Sequence, residues 1–172
     1  MRAHVFLLAA GLALAAGAAL RAADTGTSPR VQVTFDHPEN FTDVKDRSDP
    51  TDEGRDAILD MLRVCIVTEA GKHLPAGARL SMTFTDVDLA GDFEPWRGPQ
   101  YDSIRIVRPA YPPAFKFSYT ITDAAGREWK SGKEGIRDLN FEEREILDTS
   151  DSLRIEKSVL RDWVRDILKG MN

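Results

Sequence analysis

The sequence has little of the chemistry on which many small secreted domains and enzymes depend. Its 172 residues include one cysteine, Cys65, and three histidines. A single cysteine excludes a disulfide framework and a cysteine-ligated zinc site within one chain. The chain also lacks a G-x-S-x-G nucleophile elbow and a phosphate-binding glycine loop. These absences favour a protein that is not an enzyme and that needs no cofactor or metal.

Basic residues are outnumbered by acidic ones. The chain has 23 Lys and Arg against 28 Asp and Glu, a formal net charge of −5 at pH 7. Proteins that coat nucleic acid need an excess of basic residues, so we expect no nucleic-acid partner. Hydrophobic residues make up 42% and charged residues 30%. That balance is typical of a globular domain and excludes a multi-span membrane protein, a collagen-like fibre and a wholly disordered chain.

The longest apolar run lies at the N-terminus. Arg2 precedes an uncharged run rich in Leu and Ala, from Val5 to Leu20. This run is shorter than the ~20 residues that a membrane-spanning helix needs. The pattern is that of a cleaved secretory signal peptide, and the alternative is a single membrane anchor. Ala16-Gly17-Ala18 best fits the small-x-small cleavage rule, whereas Ala22 and Ala23 lie closer to the polar boundary.

Export to the periplasm is the expected consequence. No cysteine near the cleavage region accepts a lipid, and we expect no stable membrane insertion after cleavage. Removing residues 1–23 takes away two arginines and no acid, so the net charge falls from −5 to −7. An acidic surface of this kind is repelled by anionic lipid head groups. We therefore divide the chain into a signal peptide (1–23), a mobile tail (24–29) and one domain (30–172).

Hydrophobic periodicity predicts the element order β-α-β-β-β-β-α. Alternating apolar residues predict strands over 30–36, 79–87, 103–107, 115–122 and 127–136. Apolar residues three and four apart predict one helix from Asp49-Pro50 to about Lys72, and a last helix after caps at Ser150, Asp151 or Ser152. Each strand has one apolar face and each helix one apolar stripe. We therefore predict an α+β two-layer sandwich, with a mostly antiparallel sheet of four to five strands and two helices on one face.

An acidic cluster follows the second predicted strand. It consists of Asp86, Asp88, Asp92 and Glu94. Such oxygens bind calcium when they converge, but the calcium-loop pattern fails at Ala90. A glycosidase pair is a further reading, although a small two-layer domain offers little depth for a sugar cleft. The alternative is structural, with the acids accepting loop N–H groups or pairing with nearby arginines.

A segment rich in aromatics and proline follows the cluster, from residue 93 to 113, and we call it the aromatic loop. It contains five of the nine prolines. Its candidate recognition residues are Phe93, Trp96, Arg97, Tyr101 and Tyr111. Prolines lower the entropy of a loop, and stiff loops that display aromatics and Arg suit partner recognition. The alternative is that these aromatics fold over the sheet edge and complete the core.

Several motifs together resemble a known family. They are Phe41-Thr-Asp43, DVDLAGDFEPW at 86–96, IRIVR at 104–108, Tyr119-x-Ile-x-Asp123-x-x-Gly126 and LRIEK at 153–157 with Trp163. The set resembles the exported bacterial family catalogued as domain of unknown function 3016, over nearly all of the chain after residue 23. That resemblance implies export and a single domain but no activity. The predicted layout is also similar to exported accessory domains of outer-membrane assembly factors, by topology alone.

Two functional hypotheses of different classes remain open. The first is a non-catalytic binding or envelope-accessory module that recognises an envelope protein or component. The second is a small hydrolase or metal-binding protein that uses the cluster from Asp86 to Glu94. Three carboxylates converging on one open point would favour the second hypothesis, whereas carboxylates paired with arginine would favour the first.

Overall fold

The structure, a computed structural model, describes residues 29–47, 49–146 and 148–171. The signal peptide predicted over 1–23, and the predicted tail up to residue 28, lie outside the described residues. Within the described residues, no helix combines the length and the apolar character that crossing a membrane requires.

The main sheet has four strands in the spatial order β1-β2-β5-β6. Their bounds are Val31–Phe35 for β1, Arg79–Asp88 for β2, Ala114–Thr122 for β5 and Glu128–Arg137 for β6. β1 runs parallel to β2, while the β2–β5 and β5–β6 pairs are antiparallel. The two remaining strands, β3 (Asp92–Phe93) and β4 (Arg105–Ile106), form a separate antiparallel pair. The predicted α+β class is confirmed.

The first helix, α1, spans Asp52–His73 and connects the two parallel strands. It begins two residues later than predicted, because Thr51 is the N-cap and its hydroxyl accepts the Gly54 N–H at 3.1 Å. Asp49 lies against this first turn: a Cβ at Gly54 would be 2.2 Å from the Asp49 carbonyl oxygen. Acidic residues in the first turn and Lys72 and His73 in the last complement the helix dipole.

The second helix, α2, spans Arg154–Leu168 and closes the domain. Asp151 accepts the Leu153 N–H at 2.9 Å just before the helix begins. Arg144, in the segment between β6 and α2, donates to Asp138 at the end of β6 and to Asp162 on α2. The helix is therefore fastened to the sheet by charge-assisted hydrogen bonds as well as by packing.

One apolar core fills the space between the sheet and the two helices. The sheet contributes buried side chains from alternate positions: Val31, Val33, Leu80, Met82, Phe84, Phe115, Phe117 and Ile121. α1 covers them with Ile58, Leu62 and Ile66, and α2 with Val159, Leu160 and Val164. Trp163 is half-buried and meets the rings of Phe117 and Tyr119 edge-on, at centroid distances of 4.8 and 5.2 Å. The predicted single layer of helices on one sheet face is confirmed.

The opposite face of the sheet is polar and open among the described residues. Ser81, Thr85 and Lys116 are exposed, and Thr83, Ser118 and Thr120 are half-exposed. β6 lies at the sheet edge, and none of its residues is buried. Its Trp129, predicted as part of a half-buried strand, has 48% of its surface exposed. An edge strand has a neighbouring strand on one side only, so its side chains are covered less than those of a central strand.

Candidate functional site

The aromatic loop and the turn before it connect β2 to β5 at one end of the sheet. The chain leaves β2 at Asp88, forms β3, makes two short 3-10 turns at Pro95–Arg97 and Pro99–Tyr101, and returns through β4. A proline begins each 3-10 turn, where its fixed φ suits the geometry. Before β3, Gly91 has φ 80° and a Cβ there would lie 2.8 Å from the Ile106 carbonyl oxygen. Only glycine fits this crossing of β4 without strain.

Arg105 on β4 ties the loop to the rest of the domain. One guanidinium nitrogen donates to Asp43 Oδ2 at 2.7 Å and to the Gly91 carbonyl at 2.8 Å. The other terminal nitrogen donates to the Lys45 carbonyl at 2.8 Å. The same guanidinium lies 4.7 Å from the centroid of the Phe93 ring. Three chain segments therefore converge on one side chain, which holds the base of the loop in place.

Phe93 forms part of this base and does not project into solvent. Its side chain is buried, and the guanidinium of Arg47 lies 5.1 Å from the ring centroid, beside that of Arg105. Cation–π contacts of this kind stabilise the position of the ring in addition to its apolar burial. Of the predicted recognition residues, Phe93 is thus the one that the structure places in an anchoring position.

Glu94 lies directly beneath the outer part of the loop. Only 2% of its surface is exposed, and its Oε1 accepts the Tyr111 hydroxyl at 3.3 Å. Its Oε2 lies 3.2 Å from Nε of Arg97 and 3.1 Å from Nη2 of Arg108. Burial and the negative charge of Glu94 raise the pKa of the Tyr111 phenol, so the phenol stays a donor. This buried carboxylate gathers three loop side chains around one point.

Trp96 lies in the first 3-10 turn, for which Glu94 is the N-cap residue. It has 71% of its surface exposed, the largest exposed fraction among the large hydrophobic residues described. Two further apolar side chains of the loop, Ile104 and Val107, are also exposed. Tyr101 and Tyr111 are half-buried, and the Arg97 guanidinium lies 5.4 Å from the Tyr101 ring centroid. The loop therefore presents an indole on a base that is fixed by ion pairs.

The predicted acidic cluster does not gather at one point. Asp86 accepts the Thr42 N–H at 2.8 Å and the Lys116 ammonium at 2.9 Å. Burial acts to raise its pKa, but these hydrogen bonds outweigh that effect and the pKa of Asp86 is lowered. Asp92 accepts the N–H of the next residue, Phe93, at 2.7 Å, and Glu94 lies under the loop. Each of these acids thus has its own partner.

Asp88 and Asp92 line a cleft of about 710 Å³ beside the loop base. Burial raises the pKa of Asp88, with Asp43 and Asp86 adding repulsion and Arg137 opposing it from 3.6 Å. The same cleft is lined by the cations Lys45, Arg47 and Arg137, so its walls carry both signs of charge. Among the described residues, no three Asp, Glu, His or Cys side chains are arranged to hold a metal ion.

Cys65, His37 and His73 lie apart from the loop. The Cys65 thiol is buried on α1 and contacts the Lys157 carbonyl at 3.8 Å, and burial raises its pKa. His37 contacts Glu39, and His73 contacts Glu69 on its own helix. A thiol with a raised pKa is mostly protonated at neutral pH and is a weak nucleophile.

Two features of the loop differ from what the sequence predicted. Ile104 and Val107 were expected in a strand over 103–107, but the strand is only Arg105–Ile106 and both residues are exposed. Glu94 was placed among possible ligand acids, but it is buried under the loop. One of the contacts of Glu94 could have been predicted from the sequence. Glu94 and Arg97 are three residues apart, and this spacing suits a local ion pair. The pairing with Arg108 joins residues that are distant in sequence, and only the folded loop brings them together.

The fold and this loop define a class: an α+β sandwich with an exposed, ion-pair-anchored loop at an end of its sheet. The family model described as protein of unknown function (DUF3016) matches residues 29–166. The chain belongs to this family, which confirms the resemblance found in its motifs. No curated protein and no solved structure was found that matches it.

Proposed function

We propose that this protein is a non-catalytic binding module of the bacterial envelope, and that the aromatic loop is its binding surface. The observation that carries the proposal is the 71% exposure of Trp96 on a loop whose base is fixed. Tryptophan offers a large apolar contact at little entropic cost, and it is enriched among the residues that dominate binding energy. A loop that is already ordered loses little further entropy when a partner binds.

The local chemistry supports binding better than catalysis. Asp86, Asp92 and Glu94 accept backbone N–H groups or pair with Lys116, Arg97 and Arg108. The fourth acid of the cluster, Asp88, lies 3.6 Å from the Arg137 guanidinium. Carboxylates held in this way stabilise a loop, whereas a general acid or base needs a free, desolvated position facing substrate. The location in the periplasm rests on the signal-peptide pattern of residues 1–23, and the partner we propose is an envelope protein.

The test compares two exposed tryptophans at opposite ends of the sheet. Trp96→Ala should lower the free energy of unfolding by less than about 1 kcal/mol, because the indole is mostly in solvent already. The same variant should weaken capture of a periplasmic partner by about 2 kcal/mol or more. Trp129→Ala, which removes an equally large side chain far from the loop, is the matched control and should leave capture unchanged.

Two results would contradict the proposal. If Trp96→Ala unfolds at a much lower temperature than Trp129→Ala, the indole belongs to the core and is not available for binding. If both variants keep their stability and capture the partner equally well, the binding surface lies elsewhere. The open polar face of the sheet would then be the next surface to examine.

A further inference from the structure

Two guanidinium groups share one buried carboxylate, that of Glu94, two residues before Trp96 in the chain. Nε of Arg97 and Nη2 of Arg108 both lie within 3.2 Å of Glu94 Oε2. The Arg97 and Arg108 side chains are 42% and 41% exposed, whereas that of Glu94 is 3% exposed. Two cations against one anion leave an excess positive charge at this point, and that excess faces solvent.

The contacts of Glu94 Oε2 with the two arginines are close, but they are not hydrogen bonds. Glu94 Oε2 is buried and lies close to two cationic nitrogens, yet among the described residues it receives no aligned hydrogen bond. The contacts of Glu94 Oε2 with Arg97 and Arg108 are therefore ion pairs that depend on charge alone. The N–H groups of both arginines are consequently not consumed by Glu94, and the two side chains have donors to spare for a second anion.

The arginines of the aromatic loop differ in their partners. Residues 93–113 contain three arginines, Arg97, Arg105 and Arg108, and two acids, Glu94 and Asp102. Arg105 is occupied by Asp43 and two carbonyl groups. Arg97 and Arg108 are therefore the loop arginines whose partly exposed guanidinium groups lie at Glu94.

We propose that Arg97 and Arg108 bind a carboxylate from an acidic segment of a partner protein, while Trp96 packs against an apolar side chain next to that acid. This inference rests on the proposed binding function and names the chemistry that the loop selects. A guanidinium donates to a carboxylate through two parallel N–H groups, which gives direction as well as charge. Trp and Arg are both enriched among the residues that dominate binding energy at protein interfaces.

A protein segment fits this surface better than a membrane does. A planar anionic membrane would face the whole domain, whose net negative charge opposes its approach. Two arginines are also fewer than the clusters of basic residues that bind such membranes. A peptide meets only the loop, where two partly exposed arginines lie at one buried carboxylate and Trp96, Ile104 and Val107 supply exposed apolar surface.

The probe is an array of short labelled peptides, each combining Glu or Asp with one Phe, Leu or Val. Every peptide has a counterpart in which Gln or Asn replaces the acid. We expect the acidic peptides to bind the protein at least about tenfold more tightly than their amide counterparts, with an affinity that falls as salt is added. Equal binding of the two sets, or no binding of the acidic set at millimolar protein, overturns the proposal.

Arginine variants test which residues of the protein bind the acidic peptides. Arg97→Gln and Arg108→Gln each leave Glu94 with one cation, so both variants are expected to fold, and each should weaken binding of acidic peptides about tenfold. Arg127→Gln removes the same charge from the turn at the far end of β5 and is the matched control. If all three variants bind alike, Arg97 and Arg108 do not hold the carboxylate and the proposal is wrong.

Two further results separate the possible failures. If amide peptides bind as well as acidic ones and Trp96→Ala abolishes both, the loop is a binding surface but acidic specificity is absent. If anionic phospholipid vesicles bind wild type and acidic peptides do not, the partner is a membrane surface and the protein segment is excluded. Thermal melting of each variant shows that any lost binding does not reflect unfolding.

Discussion

Glu156 is a buried residue whose negative charge lowers the stability of the fold. It sits on α2 with 3% of its surface exposed, and its Oε1 accepts the Ala90 N–H at 2.8 Å. Burial raises its pKa above the ordinary value of 4.5, and the Ala90 hydrogen bond and Arg105 oppose this shift only in part. The folded chain therefore holds this proton more firmly than the unfolded chain does.

The sign of the pH dependence follows from that difference. Between pH 4.5 and the raised pKa, the folded state binds more protons, so the free energy of unfolding falls as pH rises. Glu156→Gln keeps an oxygen for the Ala90 N–H and removes the charge. We expect the variant to be more stable than wild type at neutral pH and equally stable below pH 4.5.

Denaturant unfolding across this pH range measures the effect. Glu142→Gln removes a carboxylate from an exposed position and is the control, with stability that should follow wild type throughout. A Glu156→Gln variant that is less stable than wild type at neutral pH would show that the ionised carboxylate supports the fold.

At the scale of elements, β3 and β4 owe their positions mainly to Arg105. Two residues per strand supply too few ladder hydrogen bonds to stand alone, so the side-chain contacts of Arg105 with Asp43, Gly91 and Lys45 hold the pair. Arg105→Gln should cost about 1–3 kcal/mol, because Asp43 and the carbonyls lose their donors.

Hydrogen exchange shows where that cost falls. In Arg105→Gln, amides between Gly91 and Tyr111 should exchange faster, while those of β2 and β5 keep their protection. Arg165→Gln, on the exposed side of α2, is the control for the loss of one arginine. Equal exchange of the loop in both variants would mean that Arg105 does not order it.

The elements that the sequence predicted well are those with long, regular periodicity. Phe115, Phe117, Tyr119 and Ile121 alternate without interruption, and the strand they predict is β5. The segment expected as a strand over 103–107 forms only Arg105–Ile106, and β3 lies inside what the sequence presented as a loop. Two-residue strands carry no periodicity, and their pairing depends on a side-chain contact between distant residues.

In the candidate site, too, local features could be predicted from the sequence and long-range contacts could not. Trp96 lies between Glu94-Pro95 and Arg97-Gly98-Pro99, which are poor material for a buried core segment, and 71% of its surface is exposed. The roles of Glu94 and Arg108 depend on a fold that brings residues 14 apart to 3.1 Å. Local patterns indicate which residues are solvated, whereas long-range ion pairs appear only in three dimensions.

At the scale of the whole molecule, the aromatic loop and Trp129 occupy opposite ends of the sheet. β5 runs from Ala114, where the loop ends, to Thr122, just before the turn that leads to β6 and Trp129. A nine-residue strand of this kind spans roughly 26 Å. The two exposed tryptophans therefore differ in their surroundings, and only Trp96 belongs to the loop in which Arg97 and Arg108 lie at Glu94.

The most direct test of the proposed function is crosslinking in an exporting bacterium, with a photoreactive phenylalanine analogue in place of Trp96 or Trp129. We predict that the analogue at position 96 forms an adduct with a discrete envelope protein, that the adduct is lost when Arg97 and Arg108 are both replaced by Gln, and that position 129 gives none. An adduct at position 129 alone, or no adduct at position 96 in folded protein, would contradict the assignment of the aromatic loop as the binding surface.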